Sequence, residues 1–106
     1  MDRKETLNKL SEYIKILNES GLNIEKAFLF GSAARNEERE ESDIDVMLVS
    51  SRFDDQSDDL AFGLIWKLTR RVDSRIEPYA VGLSRFDNDE VSPLLQIVKK
   101  EGIPII

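Results

Sequence analysis

Leu7, Leu10, Ile14 and Leu17 recur at intervals of three and four along a first segment otherwise rich in Lys and Glu, the spacing of one face of an α-helix. Asp2 with Glu5 three residues on marks a helix start, and Gly21, able to take a left-handed backbone, marks the stop after Ser20. The pattern then shortens. Lys26-Ala27-Phe28-Leu29-Phe30 is a brief apolar run bounded by Gly31-Ser32, which suits a buried strand better than another helix. Ala33 to Arg39 are expected as a short helix, and the charged stretch Asn36 to Glu41 as a solvated loop or helix end. From Asp43 to Val49 the period drops to two, with Ile44, Val46 and Leu48 on one face and Asp43, Asp45, Met47 and Val49 on the other, so a second strand is predicted.

The Ser- and Asp-rich stretch Ser50 to Asp59 reads as a loop. It leads into a helix whose apolar stripe is Ala61, Ile65, Leu68 and Val72, flanked by Leu64 and Trp66. Arg75 to Val81 predicts a third strand, and Pro78, which has no N–H to give a ladder, pushes it toward a sheet edge. Ser92 caps and Pro93 starts a last helix through Lys100, Gly102 stops it, and Ile103 to Ile106 form a short final strand. There is no internal repeat. The expected architecture is one α/β domain over residues 1–106, a small mixed sheet flanked by helices, with the candidate chemistry on one face of the sheet and helices covering the other.

Composition narrows the chemistry. Fifteen basic against twenty-one acidic residues give a net charge of −6, which opposes tracking of a long nucleic-acid backbone. The chain has no cysteine, hence no disulfide or thiolate chemistry, and no apparent leader, so a cytoplasmic location is expected. No apolar run approaches the roughly 18 residues of a membrane span. Histidine is also absent, which excludes Ser-His-Asp hydrolysis, His-ligated zinc and His general bases, and leaves carboxylates, hydroxyls, cations and a hard metal.

Two residues apart on a strand, Asp43 and Asp45 have Cα atoms about 6.5–7 Å apart and side chains on one face, an arrangement in which both carboxylates can share a metal ion. The plainer alternative is that Ser42-Asp43 merely turns the chain into the strand. An EF-hand is excluded, because Met47 and Leu48 stand where a ligand and a glycine are required. Gly31-Ser32 at a strand end lets backbone N–H groups and a hydroxyl approach phosphate oxygens, or is simply a turn. Lys67, Arg70, Arg71 and Arg75 read first as a solvated helix face, with contact to phosphates or to an acidic partner surface as the alternative; Asp54, Asp55, Asp58 and Asp59 read as solubility and helix N-terminal charge, and Trp66 and Phe62 as core or interface packing.

Taken together, Gly31-Ser32-Ala33-Ala34-Arg35 and Ser42-Asp43-Ile44-Asp45 resemble the G-S-x-A-R … S-D-x-D signature of the DNA polymerase beta-like nucleotidyltransferase superfamily. The chain is most similar to its single-domain minimal members, from the first helix to the closing Lys100-Glu101-Gly102-Ile103 turn. This resemblance implies the nucleotidyltransferase fold, a triphosphate held by Gly31 and Ser32, and Mg²⁺ held by Asp43 and Asp45. Glu77, where the superfamily most often has Asp, is the implied third carboxylate, serving as metal ligand and catalytic base. Ser42 and Arg35 complete the implied nucleotide-binding set, with Arg35 meeting either phosphate or a neighbouring carboxylate, and Asn36 stands where many relatives have Gly.

The implied reaction is transfer of a nucleotidyl group, AMP from ATP, to a hydroxyl. Minimal members work with a separate helical partner of the HEPN type in modules resembling toxin and antitoxin, where the partner can itself be the target. A homodimer is also compatible. Two readings stand beside this one: an antitoxin-like binding module that neutralises its partner by contact alone, and a nucleotidyltransferase acting on small molecules.

Overall fold

The computed structural model describes residues 3–35 and 42–106. The chain runs as helix α1 (Arg3–Glu19), strand β1 (Lys26–Phe30), strand β2 (Ile44–Ser50), a 3₁₀ helix (Ser51–Asp54), helix α2 (Asp59–Lys67), a second 3₁₀ helix (Leu68–Arg71), strand β3 (Ile76–Gly82), helices α3 (Leu83–Asn88) and α4 (Pro93–Glu101), and strand β4 (Ile103–Pro104). The sheet is mixed, in the order β3-β2-β1-β4. β1 lies antiparallel to both β2 and β4, whereas β2 and β3 are parallel and joined through α2, the crossover that parallel pairing requires. Pro78 falls on β3, at the edge, as its missing N–H demands.

α1 buries Leu10, Ile14 and Leu17 as its spacing predicts, together with Thr6, Tyr13 and Ile16. Gly21 stops it at φ 89°, while the helix-start signal at Asp2 lies outside the described residues. Ser92 and Pro93 open α4, the Ser92 side chain accepting from Leu95 N, and Asp58 caps α2 by accepting from Ala61 N at 3.1 Å. The expected helix from Ala33 is a turn over residues 31–35, and the remainder of that expectation, residues 36–39, lies outside the described residues, as does the loop proposed to Glu41. Within the supposed loop after β2, the 3₁₀ helix buries Phe53, an anchor that periodicity over so few residues does not reveal.

Helices cover both faces of the sheet, whereas the expectation had helices on one face and the candidate chemistry on the other. Against the first face, α1 and α2 pack Leu10, Leu17 and Ile65 onto Ala27, Leu29, Ile44, Val46 and Leu48. Against the second, Phe86 of α3 and Leu95 and Val98 of α4 pack onto Phe30, Met47, Val49 and Val81. The physical reason is the alternation itself: Met47 and Val49 share a face with Asp45, and both are 0% exposed. α3 has no counterpart in the sequence reading, because six residues are too few to show a helical period. It is held instead by tertiary contacts, Phe86 stacking on Phe28 at 5.4 Å and Ser84 N donating to Asp54 Oδ1 at 3.2 Å.

Entry into β3 is fixed by Asp73. Its carboxylate accepts from Arg75 Nη2 at 2.7 Å, Arg75 N at 2.9 Å and, from α1, Lys9 Nζ at 2.9 Å. These charge-assisted bonds, Arg75 contributing most, hold the carboxyl well below the usual range. A depressed folded-state value stabilises above the unfolded-state value of about 3.9 and loses that stabilisation as pH falls through the folded one. Asp73→Asn is therefore expected to lower stability by about 1–3 kcal/mol in urea unfolding at pH 7, with the gap to wild type narrowing below about pH 4. Identical midpoints at pH 7 would show that this clamp carries no net stability.

Candidate functional site

The register of the sheet builds the site. Asp45 sits opposite Phe30 of β1 on one side and opposite Glu77 of β3 on the other. Gly31 follows Phe30 directly, at φ 77°, a conformation that residues with a side chain rarely adopt. A Cβ on Gly31 would collide with Asp45 Oδ2 and lie 3.3 Å from its Cγ. Glycine is therefore required twice here, by the backbone and by the carboxylate packed against it.

The turn over residues 31–35 closes through Arg35 N donating to Gly31 O at 3.2 Å, and Arg3 Nη2 of α1 ties it down by donating to Ala34 O at 2.8 Å. Ala33 anchors it in the core, while Ser32 is only half-buried. Arg35 Nη1 stands 4.0 Å from Glu101 Oε2 at the end of α4, the carboxylate alternative of its two expected roles. Ser42, half-buried, and Asp43, exposed, lead into β2.

Asp45 is half-buried, and its carboxyl is pushed up to about 6, first by burial and then by the negative charges of Glu77 and Asp43. Tyr79, one side-chain repeat beyond Glu77 on β3, donates its hydroxyl to Glu77 Oε1 at 3.2 Å and packs edge-to-face on Phe30 at 5.1 Å. Burial, then Asp45 and Glu77, push the Tyr79 hydroxyl up to about 12, so it remains a proton donor at neutral pH. Sequence reasoning passed over Tyr79, although Glu-x-Tyr on a strand has the same-face spacing that singled out the two aspartates.

The structure thus brings Gly31, Asp45 and Glu77 together directly, with Asp43 close enough to act on the Asp45 charge. Among the described residues no three acidic side chains close around one point, so the carboxylates form an open set rather than a finished cage. Their chemistry fits a hard divalent cation: all donors are carboxylate oxygens, and their mutual repulsion at Asp45 is what such a cation relieves. A cavity of about 500 Å³ at the far end of β3, lined by Asp54, Gly82 and Asn88 among others, contains none of these residues.

The family model described as polymerase beta, nucleotidyltransferase, matches residues 8–106. A candidate nucleotidyltransferase from Sulfolobus solfataricus has a similar fold, with a TM-score of 0.64 at 17% identity over 96% of this chain and 80% of its own. A toxin-antitoxin structure solved with AMP-PNP contains a chain with a TM-score of 0.64 at 24% identity, over 94% of this chain and 72% of its own. No curated protein matches the sequence.

Two outcomes follow from the crowding at Asp45. Its folded-state carboxyl titrates near 6 and its unfolded-state one near 3.9, so charge at this position destabilises the fold progressively as pH rises from about 4 to 6. In chelator-treated protein, Asp45→Asn should raise stability by roughly 1–2 kcal/mol at pH 7.5, the gain shrinking as pH falls through 6 towards 4. Gly31→Ala should do the opposite, lowering stability by about 1–3 kcal/mol through backbone strain and displacement of the Asp45 carboxylate. Thermal unfolding of the two variants tests both signs.

Proposed function

The chain belongs to the polymerase beta nucleotidyltransferase family, and from that premise we propose that residues 1–106 form one nucleotidyltransferase domain that binds ATP with Mg²⁺ and transfers AMP to a hydroxyl. The observation carrying this reading is the register that aligns Asp45 with Glu77 and sets Asp45 against the Gly31 turn. In it, Asp43, Asp45 and Glu77 hold the divalent ion. That ion, when bound, offsets the charge developing on the phosphates and promotes attack by the acceptor oxygen.

The chain's own groups do the rest. Gly31, with no Cβ, leaves room for the Asp45 carboxylate beside the turn, and the backbone N–H groups of that turn and the Ser32 hydroxyl donate to phosphate oxygens. Ser42 borders the same nucleotide. Arg35, at its observed distance from Glu101, keeps the turn in place more than it contacts phosphate. Glu77 accepts the acceptor's hydroxyl proton while the new O–P bond forms and the bond to pyrophosphate breaks. Tyr79, through its hydrogen bond to Glu77 Oε1, orients that carboxylate.

The acceptor we propose lies on a helical partner protein of the HEPN type, in a module resembling toxin and antitoxin. Support for this comes from the similarity in fold to a toxin-antitoxin structure solved with AMP-PNP. A cytoplasmic location accords with the absence of cysteine, and no helix among the described residues is long and apolar enough to cross a membrane.

Thermal unfolding with ATP, with and without Mg²⁺, tests the nucleotide site. Wild type should gain about 2.7 kcal/mol when ATP and Mg²⁺ are present at a hundred times the dissociation constant, and Asp43→Asn should gain much less. An equal gain in the variant would move the nucleotide away from these carboxylates. Transfer of label from ATP to a co-purified partner, lost in Asp45→Asn, tests the reaction.

A further inference from the structure

Trp66, the single tryptophan of the chain, is not in the core: its side of α2 faces solvent and the residue is 53% exposed. With Lys67, Thr69, Arg70, Ser74 and Ile76 it lines a groove of about 480 Å³. Lys67 and Arg70 enter no ion pair among the described residues, whereas Arg75, grouped with them by sequence, is folded back onto Asp73. On a chain of net charge −6, the groove is thus a local cationic spot beside an exposed aromatic face.

Its position relative to the carboxylates gives it a direction. The phosphate turn at Gly31 lies on the β1 side of Asp45, and Glu77 lies on the β3 side, at the free edge of the sheet. An acceptor that surrenders its proton to Glu77 can therefore approach over the β3 edge, away from the Gly31 turn. Ser74 and Ile76 put the groove at the start of that same strand, Ile76 being the residue before Glu77. The Ile76 and Glu77 side chains face opposite sides of the strand, so a segment seated in the groove reaches Glu77 by crossing the edge.

We propose that this groove is the acceptor-docking surface of the same site and that its occupant is an acidic polypeptide segment carrying a hydroxyl side chain; this rests on the nucleotidyl-transfer reading. Lys67 and Arg70 pair with Glu or Asp of the segment, and the Trp66 indole packs against its apolar or aromatic neighbours. Two cations on an acidic chain are too few to hold a nucleic-acid backbone, whose affinity grows with each phosphate neutralised. The seated hydroxyl attacks the α-phosphorus, its proton passes to Glu77, and pyrophosphate leaves.

Because Trp66 is the only tryptophan, its fluorescence reports on the groove alone. The probe is a random copolymer of Glu and Tyr, acidic and rich in phenolic hydroxyls, titrated into the full chain. A saturable change in Trp66 emission is expected, weakened about tenfold in Lys67→Glu/Arg70→Glu, and kept in Asp45→Asn. Both reversed side chains are exposed, so the double variant should remain folded, with a small loss in unfolding temperature from placing acids at a helix C-terminus. With labelled ATP and Mg²⁺, wild type should label the copolymer, and the double variant should show a raised KM with kcat largely kept.

A flat titration, or one that the double variant matches, overturns the proposal. So does a single-stranded polynucleotide that perturbs Trp66 at lower concentration than the copolymer, which would assign the groove to nucleic acid. Copolymer binding through Lys67 and Arg70 without any transfer would count against the nucleotidyl-transfer reading and leave the docking surface standing. Transfer indifferent to the double variant would do the reverse.

Discussion

Everything at the carboxylate end of this domain depends on the parallel pairing of β2 with β3, in the register that sets Asp45 beside Glu77. That pairing is local in space and remote in sequence, and α2 with its 3₁₀ extension is the connection that makes it possible. The register itself is enforced from elsewhere. A slip of one residue in β2 would turn Val46 and Leu48 out of one core and Met47 and Val49 out of the other, and all four are 0% exposed. The apolar residues of β2 thus fix where two acidic side chains meet, although no attraction between those side chains favours it.

The meeting is in fact unfavourable. Asp45 is half-buried and repelled by Glu77 and Asp43. Burial of the apolar residues that share its strand offsets this, at about 1.5–3 kcal/mol for each full-size side chain, against a penalty at Asp45 of comparable size for the whole site. Coverage of the second face by α3 and α4 is therefore part of how the site exists. Without Phe86, Leu95 and Val98 over Met47 and Val49, the face carrying Asp45 and Glu77 would have no core of its own.

What was legible in the sequence follows the same physics. The second strand and the Gly31-Ser32 break could be read because strand alternation and a positive φ each demand particular residue types at particular positions, although Asp43, read as the start of that strand, precedes it. The strand edge could be read from Pro78. By contrast, α3 depends on Phe86 finding Phe28 and on Asp54 reaching Ser84, contacts between distant segments that leave no period behind. The cover on the second face was legible in principle, since Met47 and Val49 alternate with the buried set and could not remain in water. Of the two packing roles expected of Trp66, core and interface, the core one does not hold: Ala61, Ile65 and Leu68 define the buried stripe of α2 and its extension, and a residue one step past Ile65 is turned about 100° away from it.

Glu77 and Tyr79 are best understood as a pair. A glutamate has one methylene and one rotatable bond more than an aspartate, so its carboxylate reaches further and samples more positions; for the role proposed above, misplacement by about 1 Å would cost on the order of a hundredfold in rate. Tyr79 counters that freedom. Its ring is set edge-to-face against Phe30, next to Gly31, and its hydroxyl donates to Glu77 Oε1, so the Glu77 carboxylate is referenced to the strand that leads into the Gly31 turn. The raised Tyr79 hydroxyl keeps the proton on the phenol and the bond directed at Glu77. A longer acid and a strand-neighbour tyrosine then form one unit, in which the side chain that extends the reach is held by the one that limits it.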